Sequence, residues 1–492
     1  MSTTANNPHV KGWRRLLVEP ARPVSISSRP NAYWLVVATV CVGAFMGQLD
    51  ASIVTLAFPT LKTDFHSSLG SVQWVGLSYL LVLVAMVTAV GRVADMVGRK
   101  LLYTYGFLIF IIGSALCGVA PNLGTLDAFR VLQAFGAAML QANSVAIIVG
   151  ALPAEKLGQG IGIQGAAQAL GLSLGPAVGG ALIALGGWRL IFFVNVPAGI
   201  IGTILGWYLI PRSRHLQDKV RFDWTGLALF TPAVSALLVG ISYGNQYGWS
   251  SPFIIGAFVL AVVLGVAFLR KESRTPNPML DLSLFKRIPF SAGIASGLLS
   301  YLVLFGALFI VPFYLERALH ISPGQTGAEL TVMPIALGLT APFAGRLADK
   351  LGARPLTVGG MLISAISLFM IGTTHLGLIA FLVELAVLGV GLGLFTPPNN
   401  AAIMGSAPKE QSGVASGVLN MTRGMGTAMG LAVTGLVFGI VAGDQPHIPP
   451  SLVTQGFTAS TIFLGIVALV AMLLAAMRGN AELNLDPVLS AE

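Results

Sequence analysis

Charge is scarce in this chain. Of 492 residues only 10% are Asp, Glu, Lys or Arg, against 55% hydrophobic, and the mean hydropathy is +0.82. That balance excludes a water-soluble domain and leaves an integral membrane protein. Cysteine is scarcer still. Cys41 and Cys117 both fall in apolar runs, which excludes a disulfide framework and a thiolate metal centre. The six histidines are scattered with no metal-ligand spacing. No Gly-x-x-x-x-Gly-Lys-Ser/Thr stretch is present to cradle phosphates, so ATP is not expected to drive the protein directly, and enzymatic readings find no residues to rest on.

What the chain has in abundance is long apolar runs of the length a bilayer-spanning helix requires. They fall near 34–56, 72–94, 101–120, 125–149, 160–182, 190–211, 224–243, 253–270, 289–314, 327–348, 356–373, 377–396, 412–439 and 457–477, giving 14 expected spans. The first 33 residues are polar and basic, with a short amphipathic stretch at Trp13–Val18, and the first run reads as a retained span rather than a secretory signal. The charges test this topology independently. With the N-terminus inside, 23 of the 28 Lys and Arg fall in cytoplasmic segments; Lys62, Arg189 and Arg317 lie outside, and Arg130 and Arg423 lie within spans. This is the asymmetry of the positive-inside rule. It accounts for the net charge of +9 through anionic lipid, with no nucleic-acid partner.

The chain also repeats itself. Gly91-Arg92-Val93-Ala94-Asp95-Met96-Val97-Gly98-Arg99-Lys100 returns as Gly345-Arg346-Leu347-Ala348-Asp349-Lys350-Leu351-Gly352-Ala353-Arg354, an offset of 254 residues. Two copies of one membrane bundle imply a pseudo-symmetric body with a site between the halves, the plan of secondary transporters. Spans 1–6 match spans 9–14, so spans 7 and 8 are an insertion. The expected parts are a cytoplasmic tail (1–33), a six-helix bundle (34–211), an inserted two-helix hairpin with basic linkers (212–285), a second six-helix bundle (286–478) and a cytoplasmic tail (479–492).

This arrangement resembles the major facilitator superfamily, in its fourteen-span drug/proton antiporter branch. The resemblance rests on five stretches in order. These are Leu49-Asp50-Ala51-Ser52-Ile53-Val54 in span 1, the Gly91–Lys100 loop, Arg130-Val131-Leu132-Gln133 with Gly136 in span 4, the glycine-proline motif from Gly171 to Gly180 in span 5, and Trp188–Pro197 before span 6. The chain departs from the pattern at Thr55, Ala134 and Ala353. The resemblance implies an all-α membrane fold of 6 + 2 + 6 helices and a multi-pass protein of the bacterial inner membrane with both termini cytoplasmic. It also implies a monomer surrounded by lipid that exchanges protons for a small lipophilic solute, using the proton-motive force and no cofactor.

An ionisable side chain inside the bilayer costs at least about 2.5–3.5 kcal/mol, so each one needs a reason. Asp50, Arg130, Glu384 and Arg423 are such groups. Arg130 and Glu384 are repeat mates at the 254-residue offset, and Asp50 is the mate of Leu304. Because spans 1, 4, 9 and 12 line the central cavity in the superfamily, the resemblance implies a binding surface of two carboxylates and one guanidinium. Asp50 with Arg130 is then read as the proton-coupling pair, against a static ion pair that only fixes helix packing. Glu384 is read as an anchor for cationic cargo or a second proton site, with Tyr79, Phe135, Tyr301, Phe305 and Phe309 as aromatic surface. Asp95, Arg99, Asp349 and Arg423 are read as gating groups. Gly171, Gly175, Pro176, Gly179 and Gly180 are read as a close-packing motif. The expected activity is export of lipophilic, cationic drugs or dyes by alternating access. Two rivals stand beside it: export of a lipid or self-made antibiotic on the same fold, and a receptor or scaffold that no longer transports.

Overall fold

Within a bilayer only the chain itself can satisfy its backbone N–H and C=O groups, so an apolar run long enough to cross becomes a helix. The computed structural model describes residues 19, 21–29, 31–153, 156–213, 223–275, 278, 280, 282–374, 377–407, 412–443 and 448–478. The expected amphipathic stretch at 13–18, most of the N-terminal tail and the whole tail at 479–492 lie outside these residues. Among those described, 14 helices are long and apolar enough to cross a membrane.

Span 1 (Ala32–Asp64) continues through a tight turn at Val54–Ala57 and is followed by span 2 (Leu69–Val97), span 3 (Arg99–Gly118), span 4 (Leu123–Ala151), span 5 (Leu157–Gly186) and span 6 (Leu190–Leu209). Spans 7 (Trp224–Tyr247) and 8 (Pro252–Glu272) form the inserted hairpin. Span 9 (Ile288–Ala318), span 10 (Pro323–Leu330, then Val332–Leu351), span 11 (Ala353–Thr373), span 12 (Leu378–Ser406), span 13 (Ser412–Ala442) and span 14 (Pro450–Ala476) complete the second bundle. Polar caps start several of them: Ser68 accepts from the Ser71 amide, and Asn122 and Thr125 form a capping box.

The repeat is visible in the backbone. Spans 2 and 3 are separated by Gly98 at φ +119°, and their mates, spans 10 and 11, by Gly352 at φ +81°. Both copies need a residue free of the Cβ penalty at this corner. Span 1 packs on span 5 and span 4 on spans 2 and 3; in the second half span 9 packs on span 13 and span 12 on spans 10 and 11. The halves meet along two symmetry-related seams, span 2 with span 13 and span 5 with span 10.

Span 12 differs from its expected end at 396. The helix runs on through Pro397 and Pro398 to Ser406, because packed neighbours in a membrane tolerate the broken hydrogen bonds of an internal proline.

The hairpin has a definite place. Span 7 leans on spans 2 and 13, where Asn245 Nδ2 donates to Leu436 O at 3.0 Å and Ser68 Oγ donates to Gln246 Oε1 at 2.8 Å. Span 8 rests on span 7 and otherwise presents apolar side chains such as Phe253, Val259 and Val262 outward. Asp223 caps span 7 through the Gly226 amide (2.9 Å) and reaches Lys271 at the end of span 8 (3.5 Å). Burial pushes the Asp223 carboxyl up, but the amide and the ammonium outweigh it and hold the group below the usual carboxylate range.

Candidate functional site

A fully buried polar cluster is built around Asp50. Arg130 Nη1 donates to its Oδ2 at 2.6 Å, while Gln133 Nε2 (2.9 Å) and Asn195 Nδ2 (3.0 Å) donate to Oδ1. Both amides also donate to Ser114 Oγ, each at 3.1 Å, and that hydroxyl donates to Phe192 O at 2.8 Å. Arg130 Nε donates to Val75 O at 2.9 Å, and its guanidinium lies 4.1 Å from the centre of the Tyr79 ring. Spans 1, 2, 3, 4 and 6 thus converge on one ion pair whose members are 0% and 1% exposed. Removing one partner of such a buried pair costs about 3–5 kcal/mol, because it strands the other charge.

A separate cavity of about 490 Å³ lies between the halves, within the size range of small-molecule sites. Span 1 contributes Gln48 and Ala51, and span 2 contributes Tyr79. The second half contributes Tyr301 and Phe305 from span 9, Asn400 from span 12, and Asn420 and Arg423 from span 13. Most of the lining belongs to the half of the membrane that carries the basic loops. Gln141 Nε2 donates to Asn420 Oδ1 across the halves at 3.4 Å.

The opposite end is shut. Gly171, Gly175 and Gly179 face span 1 at Phe45, Ser52 and Ile53, and Gly180 turns toward span 10. A Cβ on Gly180 would meet Pro323 O at 2.5 Å and Gly327 Cα at 3.0 Å, and span 5 passes through Pro176 without a break. Arg317 Nη2 donates to Pro59 O and Gln73 Nε2 to Leu431 O, both at 2.8 Å. A Gly180→Leu variant is therefore expected to wedge this end open. With Cys41 and Cys117 changed to serine, a cysteine placed at Gly324 should react several-fold faster with a membrane-impermeant maleimide in that variant. Equal reactivity would mean that the Gly180 contact does not hold the seal.

The site residues expected from sequence separate on this structure. Asp50 and Arg130 come together inside the first bundle. Asp50 does not reach the cavity wall, while Arg130 lines a small neighbouring pocket between the halves with Ala51, Tyr79, Phe305 and Thr427, four residues that also line the cavity. Glu384 is also buried in its own bundle, at 7% exposure, where Thr374 Oγ1 donates to its Oε1 at 2.8 Å. It precedes the cavity residue Asn400 on span 12 by 16 positions, about 24 Å of helix. The expected surface of two carboxylates and one guanidinium is corrected accordingly. Among the described residues, Arg423, read from sequence as a gating group, is the charged group that lines the cavity. Glu384→Gln keeps the acceptor for Thr374 and is expected to leave transport within about twofold of wild type in a dye-efflux assay. A complete loss would return Glu384 to the transport path.

Arg99 sits at the basic end, its amide donating to Ser213 Oγ at 2.9 Å and its Nη1 to Ala146 O at 3.4 Å. The side chains of Asp95 and Asp349 lie outside the described residues. Of the expected aromatics, Tyr79, Tyr301 and Phe305 line the cavity. Phe135 is exposed on the bundle surface, and Phe309 packs edge-on against Phe58. Sequence reading missed Gln133 and Asn195 as partners of Asp50, and Ser114 as the hydroxyl that holds both amides. The signal for two of them was present, since Gln133 and Asn195 both stand inside stretches that carried the resemblance.

Fourteen membrane helices in two pseudo-symmetric bundles around a central cavity define a multi-pass membrane transporter rather than an enzyme. The family model of the Major Facilitator Superfamily matches residues 40–225 and 293–484, and the chain belongs to that superfamily. The chain is 36% identical to riboflavin transporter RibZ of Clostridioides difficile, over 81% of this chain and 87% of the relative. It is 33% identical to multidrug resistance protein Stp of Mycobacterium tuberculosis (83% and 76%) and 30% identical to the tetracenomycin C resistance and export protein of Streptomyces glaucescens (84% and 77%). In fold it matches an inward-facing, unoccupied bacterial homolog of the human lysosomal transporter Spinster with a TM-score of 0.67 at 16% identity, over 92% of this chain and 98% of that one.

Proposed function

We propose that this transporter is a proton-driven antiporter that exports lipophilic, drug-like solutes across a bacterial cytoplasmic membrane by alternating access. Its termini would face the cytoplasm and the monomer would be the working unit. The observation that carries the reading is the distance between proton chemistry and cargo space: one side chain. Ala51, next to Asp50 in the chain, and Tyr79, on which the Arg130 guanidinium rests, both line the cavity. A proton reaching Asp50 cancels its charge and weakens its hold on Arg130. The guanidinium then bears on Gln133, Val75 O and the Tyr79 ring, and so on the cavity wall. Cargo pressing on Tyr79 acts on the same pair in reverse. The relatives named for multidrug resistance and for tetracenomycin C export support export as the direction.

Cationic cargo followed from carboxylates facing the cavity, and that support falls away with Asp50 and Glu384 inside their bundles. The identity to a riboflavin transporter favours a second reading, carriage of a planar metabolite by the same machinery. Lipid export gains nothing from the hairpin, because span 7 covers the seam between spans 2 and 13 through which a lipid would enter.

Everted vesicles with an imposed pH gradient test the reading. Addition of a transported solute should release protons from wild-type vesicles and leave vesicles lacking the protein silent. Silence of wild-type vesicles toward drugs, dyes and riboflavin alike, with the protein present and folded, would overturn it.

A further inference from the structure

We infer that the cavity selects planar, oxygen-rich aromatic solutes that are anionic or neutral, seated with a carbonyl, phenolate or carboxylate oxygen on Arg423, and that it disfavours cations. The inference rests on the transport reading for the cavity's role as cargo site and deepens it.

The first observation is the guanidinium itself. Arg423 Nε donates to the Tyr301 hydroxyl at 3.1 Å, and the charged head lies 5.4 Å from the centre of that ring. Its two terminal nitrogens donate to no described group, and among the described residues it has no carboxylate partner. A guanidinium fixed through one nitrogen presents its remaining N–H groups as a fork, a geometry that suits paired oxygens. A charge at this depth without an internal counter-ion calls for an acceptor from the cargo or from water.

The second observation concerns where a cation could go. Aromatic faces attract cations, and the cavity offers three aromatic rings. Two of these already carry a guanidinium: Arg130 at 4.1 Å from the Tyr79 centroid and Arg423 at 5.4 Å from that of Tyr301. A cationic solute would therefore meet Arg423 with no described carboxylate on the wall to offset the repulsion. An uncharged or anionic ring system meets no such penalty, and Phe305 remains as an apolar face for it.

The third observation is the rest of the polar lining. The side-chain amides of Gln48, Gln168 and Asn400 face the cavity and hydrogen-bond to no described group. Carboxamides both donate and accept, so they match carbonyl and hydroxyl edges of a cargo without asking for charge.

The dyes fluorescein and rhodamine 123 share one planar xanthene skeleton and differ in the sign of their charge. Full-length protein in nanodiscs, without any proton gradient, is titrated with each and binding is read by fluorescence anisotropy. Fluorescein should bind at least about tenfold more tightly than rhodamine 123, and Arg423→Gln should abolish that preference while Arg423→Lys retains part of it. Gln168→Glu, which adds an acid to the opposite wall, should raise rhodamine 123 affinity, a gain that misfolding cannot produce. Tighter binding of rhodamine 123 by wild type, or fluorescein binding indifferent to Arg423→Gln in a protein of normal melting temperature, would overturn the inference. The two readings fail separately. Arg423-dependent fluorescein binding with no solute-driven proton release in vesicles leaves the cavity assignment standing and removes coupled transport. Proton release driven by rhodamine 123 but not by fluorescein does the reverse.

Discussion

Vesicles carrying Asp50→Asn are expected to lose solute-driven proton release down to the background of vesicles without the protein, while the protein itself accumulates and melts nearly as wild type. Asparagine keeps the shape of the carboxylate and an oxygen to accept from Arg130 Nη1; its amide nitrogen cannot accept from Gln133 and Asn195 but can donate to the otherwise unpartnered Asn195 Oδ1 once that carboxamide turns over. What it loses is the ability to take up and give back a proton. Solute counterflow across membranes without a gradient should therefore survive in the variant, since it needs the cavity and the rocking of the halves but no titrating group. Normal proton release by Asp50→Asn would remove Asp50 from the coupling path and leave the pair as a packing device.

Arg130→Ala should fail differently. The substitution strands the Asp50 carboxylate at 0% exposure, with two amide donors in place of a cation. The expected cost is about 3–5 kcal/mol, enough to cut the amount of folded protein in the membrane severely and to lower the melting temperature in detergent by many degrees. Pairing Asp50→Asn with Arg130→Gln removes both charges together and should recover most of that melting temperature without recovering coupling. The non-additive result is the signature of a mutually dependent pair. An Arg130→Ala protein as stable as wild type would show that the ion pair does not support the bundle.

The fold was legible because it is written in run length and repetition. Apolar stretches marked all 14 spans, and the Gly91–Lys100 loop with its copy at Gly345–Arg354 marked the halves. Orientation of each helix about its own axis was not legible. A helix apolar on every face carries no stripe to say which side meets the partner bundle, so Asp50 and Glu384 could be recognised as costly but not as turned away from the cavity. The 254-residue offset paired Arg130 with Glu384, but nothing in the sequence says that Glu384 stands buried beside Thr374, away from the cavity. The cavity position of Arg423 was illegible for the same reason: span 13 has polar residues at Asn420, Arg423 and Thr427, a helical spacing of three and four that marks one face, but nothing in it says whether that face meets the other half or an open space. Hydrogen-bond partners far apart in sequence, such as Gln73 with Leu431 O, leave no local trace at all.

Under the proposed proton antiport, a cavity whose charged wall group among the described residues is an arginine changes how the membrane voltage acts on the cycle. When a cation leaves in exchange for one proton, no net charge crosses and only the pH difference does work. When an anion leaves and a proton enters, both movements carry positive charge inward in effect, and two charges cross per turn. Each contributes about 2.3 kcal/mol per 100 mV of inside-negative potential. The cycle would then run on voltage even where the pH is equal on the two sides, and a potassium–valinomycin clamp at zero potential would slow it as surely as collapsing the proton gradient.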